Sequence, residues 1–176
     1  AQFDTGRFAD AEGAYLQVQS LLAPGDPEAP AITERLAATI YKQGEARQAA
    51  GDAAGAVGDY LRVGRLAPGA AIVETAQFDA AMLLVSLKDW PQAIPVLESF
   101  RAEFPASARQ ADVTRNLALA FLEGGRPGEA AGEFERIAAS GDEPPEVQRS
   151  ALLQAAELYE KSGQTARAMA TWEGYV

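Results

Sequence analysis

Apolar residues recur along this chain at steps of three and four. Val113, Leu117 and Leu119-Ala120-Phe121 form one such stripe, and after a Gly-Gly break Ala130, Phe134 and Ile137 form another. Each is the single apolar face that a helix turns toward a neighbour. The same spacing predicts helices at 7–22, 28–49, 53–66, 70–87, 90–103, 107–123, 128–139, 145–161 and 164–175, and no segment alternates strictly enough to predict a strand. Across these helices one pair keeps returning, an Ala followed four positions later by a large residue: Ala11/Tyr15, Ala56/Tyr60, Ala93/Leu97, Ala130/Phe134 and Ala168/Trp172. The Ala-to-Ala steps are 45, 37, 37 and 38. A period of that size marks helix pairs that bury their apolar faces against the next pair, an all-α solenoid.

Breaks in the pattern fall where such a repeat needs them. Pro24, Pro68, Pro105 and Pro144-Pro145 stand at the ends of units, since proline is tolerated in a first helical turn and not in a helix interior. Inside each unit the two helices are separated by Gly51-Asp52, Lys88-Asp89, Gly124-Gly125 or Ser162-Gly163, residues suited to a left-handed backbone or to a helix cap. Residues 1–176 then form a single solenoid of about 4.5 repeats, at 1–26 (partial), 27–68, 69–105, 106–143 and 144–176, the last expected to be incomplete. A start at Ala1, near the end of what should be a first helix, suggests a piece of a longer protein.

Placed in register on the Ala positions, the chain resembles the tetratricopeptide repeat family. Gly44, Gly51, Ala56, Tyr60 and Pro68 carry the likeness in one repeat. Ala81, Leu84, Trp90, Ala93, Leu97 and Pro105 carry it in the next. Leu117, Ala118, Phe121, Gly125, Ala130 and Phe134 follow, then Ala155, Ala156, Tyr159, Gly163, Ala168 and Trp172. The departures are the absence of the family's first-helix Trp and a period above the usual ~34 residues. The resemblance implies a right-handed superhelix of antiparallel helix pairs, with first helices lining a concave groove that takes a partner peptide or helix. The longer unit and the Phe-Pro-x-Ser link at 104–107 are similar to tetratricopeptide proteins of the Gram-negative envelope, of the Tol-Pal coordinator and assembly-lipoprotein type. That narrower likeness, with an Ala-rich, Arg-over-Lys composition, implies a bacterial protein that is periplasmic or associated with the outer membrane; the cytoplasm is the other compartment open to it.

Charge and composition narrow the partner. A formal net charge of −10 and a pI near 4.5 disfavour nucleic acid and anionic membranes, and no stretch is long and apolar enough for a transmembrane helix. The acidity itself suits a solvated outer face. With neither Cys nor His, the chain lacks thiolate and imidazole ligands, the corresponding nucleophiles and the usual neutral-pH proton carrier. No cofactor or metal is expected, and no enzymatic activity. A protein or peptide partner is, and the cut ends of an array, lacking a polar cap, favour self-association end to end.

The repeat register also selects groove residues. Counting from Gly44, Ala81, Ala118 and Ala156, the inward positions give an apolar strip of Tyr41, Phe78, Met82, Val85, Leu119, Leu122 and Leu153, rimmed by Lys42, Arg115 and Asn116. Aromatics, Met and Arg are enriched at protein contacts, although the same apolar residues also suit packing between helices. Arg115 and Asn116 stand out as polar groups whose hydrogen-bonding capacity a ligand would use. The carboxylate clamp of chaperone-binding family members is not matched: its positions read Tyr41/Glu45, Asp79, Asp112/Asn116 and Ser150/Gln154. Glu133/Glu135 and Asp142/Glu143 are adjacent acids expected to be solvated, Gly51–Gly55 lacks the Lys-Ser/Thr of a phosphate loop, and Trp90 and Trp172 are expected in the core. Two readings of function follow. One is a protein-interaction scaffold within a bacterial envelope complex; the other is a non-catalytic module of a larger protein, tethered to an enzyme or an exopolysaccharide-secretion system, that serves assembly or localisation.

Overall fold

The computed structural model describes residues 7–141 and 143–175, and among them the chain is helical with no strand. The described residues form nine helices in order: α1 (Phe8–Leu21), α2 (Ala29–Ala49), α3 (Ala53–Leu66), α4 (Val73–Ser86), α5 (Trp90–Glu103), α6 (Gln110–Glu123), α7 (Pro127–Ala139), α8 (Pro145–Lys161) and α9 (Thr165–Tyr175). Seven of the nine begin within one residue of the position the apolar spacing predicts. α4 and α6 begin three residues later than expected, at Val73 and Gln110 instead of 70 and 107. In both places three-residue turns take the first amides: Val73 N–H donates to Ala70 O at 3.1 Å and Gln110 N–H to Ser107 O at 3.2 Å. Ser107 Oγ also accepts from Arg109 N–H, drawing the backbone out of the helical ladder.

The turns inside the helix pairs share one backbone geometry. Gly51, Gly125 and Gly163 have φ of 83°, 73° and 75°, and Lys88 takes the equivalent position at φ 55°. Three repeats supply glycine where the left-handed region requires it, and one holds a lysine there at some cost in strain. Asp52 and Asp89 then cap the following helices, accepting from the N–H of Gly55 at 2.9 Å and of Gln92 at 3.3 Å.

By internal packing the chain divides into two compact units, residues 1–84 and 85–176. In the first, Ala11, Leu36, Ala37, Ile40, Ala56, Tyr60 and Val63 are buried where α1, α2 and α3 meet. Gly44 lets α2 lie against the ring of Tyr60: a Cβ there would fall 2.6 Å from Tyr60 Cε1. In the second unit Leu97, Phe100, Val113, Leu117, Ala130, Ala155 and Tyr159 form the interior. The recurrent Ala11, Ala56, Ala93, Ala130 and Ala168 are all buried, at 2% exposure or less. Their large partners divide, with Tyr60 and Leu97 buried and Tyr15, Phe134 and Trp172 half-buried.

Two expectations need correction. Trp90 is half-buried, not core, and Trp172, also half-buried, packs against the buried cluster of Ala131, Ala155, Tyr159 and Ala168. Trp90 is the first residue of α5, at the edge of its repeat, and the Trp172 indole N–H donates to Glu160 Oε1 at 2.9 Å. The acids expected in solvent are also partly internal. Glu133 is only 5% exposed and is paired with Arg101 (2.7 Å) and Arg136 (3.7 Å), while Glu135 accepts from Tyr159 Oη (2.7 Å) and Thr171 Oγ1 (2.9 Å). Asp142, of the other acidic pair, lies outside the described residues.

The first unit repeats the device. Asp59, three residues after Ala56 as Glu133 is three after Ala130, is buried and held by Arg62 at 2.7 Å and Arg47 at 2.8 Å. Arg62 also pairs with the buried Glu12, which accepts from Gln43 Nε2 at 2.6 Å. A carboxylate set inside an apolar stripe is tolerable only with such donors, and they tie α1, α2 and α3 together.

Candidate functional site

The ten candidate groove residues divide between the two units. In the first, Tyr41 is half-buried and already engaged, its hydroxyl donating to Asp79 Oδ2 at 2.6 Å and its ring 5.1 Å from that of Tyr60. Burial, with the Asp79 carboxylate beside it, holds the Tyr41 phenol well above its ordinary ionisation range. Lys42 pairs with Glu45 at 2.5 Å one turn away. Phe78 and Met82 are half-buried on α4.

In the second unit the structure brings three candidates into one depression. Arg115, Ala118, Leu119 and Leu122 of α6 form one wall; Glu146, Val147, Ser150, Ala151 and Gln154 of α8 form the other; Phe134 and Ile137 of α7 lie beneath. The groove measures about 380 Å³. Its walls follow from helical periodicity, 115-118-119-122 and 147-150-151-154 each being one stripe at steps of three and four. Small residues make the depression: Ala118 and Ala151, buried with Ile137, leave room between helices that larger side chains would fill. Around that floor Leu119, Leu122 and Val147 are 42%, 38% and 37% exposed.

The remaining candidates sit elsewhere in this unit. Val85 is half-buried at the end of α4, and Leu153, half-buried on α8, is not part of the lining. On α8 the groove stripe runs through Val147, Ser150 and Gln154, offset from the positions that the count from Ala156 selects. Arg115 and Asn116 do not hold unused capacity as expected. Arg115 is bonded to Asp112 (2.9 Å) and Glu143, and Asn116 Nδ2 donates to Asp112 O at 2.8 Å. The hydrogen bond that Arg115 donates to Asp112, with the charges of both acids, holds its guanidinium even more firmly protonated than usual.

A larger cleft of about 870 Å³ runs along the outer side of α7, lined by Arg101, Glu133, Glu135, Arg136, Tyr159 and Arg167 among others. Arg101, Glu133, Glu135 and Arg136 are engaged in the contacts already described, Arg167 lies 5.6 Å from the centre of the Tyr159 ring, and Arg126 bonds Glu129 at 2.9 Å while lying 4.6 Å from the centre of the Phe121 ring. Burial and the Glu135 carboxylate push the Tyr159 phenol up to about 12. That cleft is a network of internal ties. The smaller groove is different in kind, an exposed and largely aliphatic surface, and among the described residues no group of three or more acids is placed to hold a metal ion.

Comparison with known proteins agrees with the architecture. Two family models, each described as tetratricopeptide repeat, match residues 78–145 and 150–176, together more than half of the chain. None of the curated proteins matches the chain significantly. Among solved structures, MamA (residues 41 to end) from Desulfovibrio magneticus RS-1 is 19% identical over 94% of this chain and 93% of that one, with a TM-score of 0.51. BtubC (BKLC) from P. vanneervenii is 21% identical over 99% of this chain and 74% of that one, with a TM-score of 0.50. At these identities the likeness is one of fold.

Proposed function

The chain belongs to the tetratricopeptide repeat family, and on that premise we propose that it is a non-catalytic protein-interaction scaffold whose second unit holds a partner segment in the groove between α6 and α8. One observation carries the reading: Leu119, Leu122 and Val147 are large aliphatic side chains left more than a third exposed around a shared floor. Scattered exposed apolar residues are ordinary, but three converging on one concavity favour an interface. The surrounding helices are rigidly tied, so a partner would meet a preformed surface with little ordering cost.

We place that partner in a bacterial envelope complex, in the periplasm or at the outer membrane, on the Phe104-Pro105-x-Ser107 link and the Ala- and Arg-rich composition. None of the described helices is long and apolar enough to cross a membrane, so the segment would act beside a membrane and not through it.

The test is site-specific photo-crosslinking in the cells that make the protein. A photoreactive phenylalanine at Leu119 should yield a discrete protein adduct, and one at Ala102, exposed on α5, should not. Equal labelling at both sites, or none at Leu119, would remove the groove as the docking surface.

A further inference from the structure

Glu146 lines the groove of the second unit, Asp112, Glu123 and Glu157 stand exposed on its two wall helices, and we propose that its occupant is a basic amphipathic helix. The inference rests on the reading of this groove as a docking surface and adds the chemistry of what docks. On α6, Val113, Leu117, Ala118 and Phe121 are buried and mark the packed side. The opposite side, carrying Asp112, Arg115, Leu119 and Glu123, is therefore the mouth. On α8, buried Ala151, Ala155 and Tyr159 leave Glu146, Gln154 and Glu157 at the facing rim.

Acidic groups outnumber basic ones at that mouth, Arg149 of α8 being exposed three residues after Glu146 but outside the lining. Arg115 is consumed by Asp112 and Glu143. Glu123, Glu146 and Glu157 are exposed and, among the described residues, have no ion-pair partner. Lys161 lies seven residues beyond Gln154, about 10 Å along the helix. An acidic segment would meet uncompensated like charge, and a purely aliphatic one would dehydrate carboxylates without replacing their water. Lys or Arg flanking the apolar anchors answers both.

The occupant's shape follows from the same walls. Arg115 to Leu122 and Val147 to Gln154 each span two helical turns, about 10 Å. The acids sit on both rims while the aliphatic floor lies between them. A helix carries cations on both flanks of one apolar stripe; an extended strand sends alternate side chains to opposite faces and would point its cations away from the rims.

Fluorescence anisotropy with the full chain tests this, using labelled peptides of about 15 residues, long enough for a marginal helix. The probes are a Leu/Lys peptide with Leu at helical spacing, its Leu/Glu counterpart, and a Leu/Lys peptide with strict alternation. The helical Leu/Lys peptide should bind saturably and best. Combined Glu123→Gln, Glu146→Gln and Glu157→Gln should weaken it by a factor between about 3 and about 150, the range expected for three exposed pairs. Leu119→Asp should weaken it at least about tenfold although it adds negative charge, as expected of a buried anchor lost from an interface. Leu122→Asp serves as the second variant, with far-UV circular dichroism confirming the fold.

Equal binding of the Leu/Glu peptide would overturn the basic occupant and leave the groove reading intact. Equal binding of the alternating peptide would overturn the helix. Tighter or unchanged binding to both Asp variants would mean attraction to the acidic surface at large, and the groove reading itself would fall. No binding by any peptide would overturn the proposal.

Discussion

Replacing Gly44 by Ala should destabilise the protein, against the ordinary preference of a helix interior. Within α2 the change would contribute about 1 kcal/mol of stability from helix propensity alone. The new methyl, however, falls 2.6 Å from Tyr60 Cε1 and 2.7 Å from Cδ1, on the body of the ring and not on a flexible tip. The ring has little room to retreat. It is 2% exposed, its hydroxyl donates to Gln48 Oε1 at 2.8 Å, and the Tyr41 ring lies 5.1 Å away. Overpacking of this kind costs about 1 to 3 kcal/mol, and a weakened phenol hydrogen bond about 0.5 to 1.5 more. The net loss is about 1 to 3 kcal/mol, and for a chain of this length each kcal/mol lowers the melting midpoint by about 2 to 4 °C. Thermal melts and urea titrations followed by circular dichroism measure it. In a Tyr60→Leu background the obstacle is gone, and Gly44→Ala should there raise stability by about 1 kcal/mol. A Gly44→Ala protein that melts at or above the wild type, or fails to change sign with Tyr60→Leu, would refute the close-approach argument.

Arg101→Met should cost about 2 to 3 kcal/mol, because Glu133 keeps only the longer contact to Arg136; adding Glu133→Met should recover most of that loss, as measured by denaturant melts of the single and double variants. High pH offers a separate check on Tyr159. Its neutral form is favoured in the folded state, so the resulting stability is fully present below the ordinary tyrosine range near 10 and is lost as pH rises through about 12. Tyrosinate absorbance of Tyr159→Phe should lose one late-ionising phenol, that of Tyr41 remaining, and an unchanged titration would contradict the Glu135 contact.

The repeat made most of the fold readable, because a helix pair advertises itself through spacing alone. Ala130 with Phe134 identified a packed face, and Gly125 identified a turn, without reference to the rest of the chain. What spacing conceals is the use of polar residues inside that face. Glu133 follows Ala130 by three and precedes Ile137 by four, in the buried stripe itself, and Asp59 holds the same place after Ala56. Weighing Glu133 against Glu135 hides this; weighing it against its own stripe would have marked it as internal and in need of an arginine. The groove was half legible for a related reason. Arg115, Leu119 and Leu122 follow from the register of α6, whereas the α8 wall depends on how α7 holds that helix, which Val147 and Ser150 alone do not disclose.

The aromatic residues give the two units different optical identities. Both tryptophans belong to residues 85–176: Trp90 opens α5, and Trp172 is bonded to Glu160 and edge-on to Tyr175 at 6.0 Å. Residues 1–84 hold Tyr15, Tyr41 and Tyr60 and no tryptophan. Emission excited at 295 nm therefore reports the groove-bearing unit alone, while far-UV ellipticity reports the helices of both. Comparing the two signals through one denaturant titration resolves, without any label, whether the units melt together or in turn.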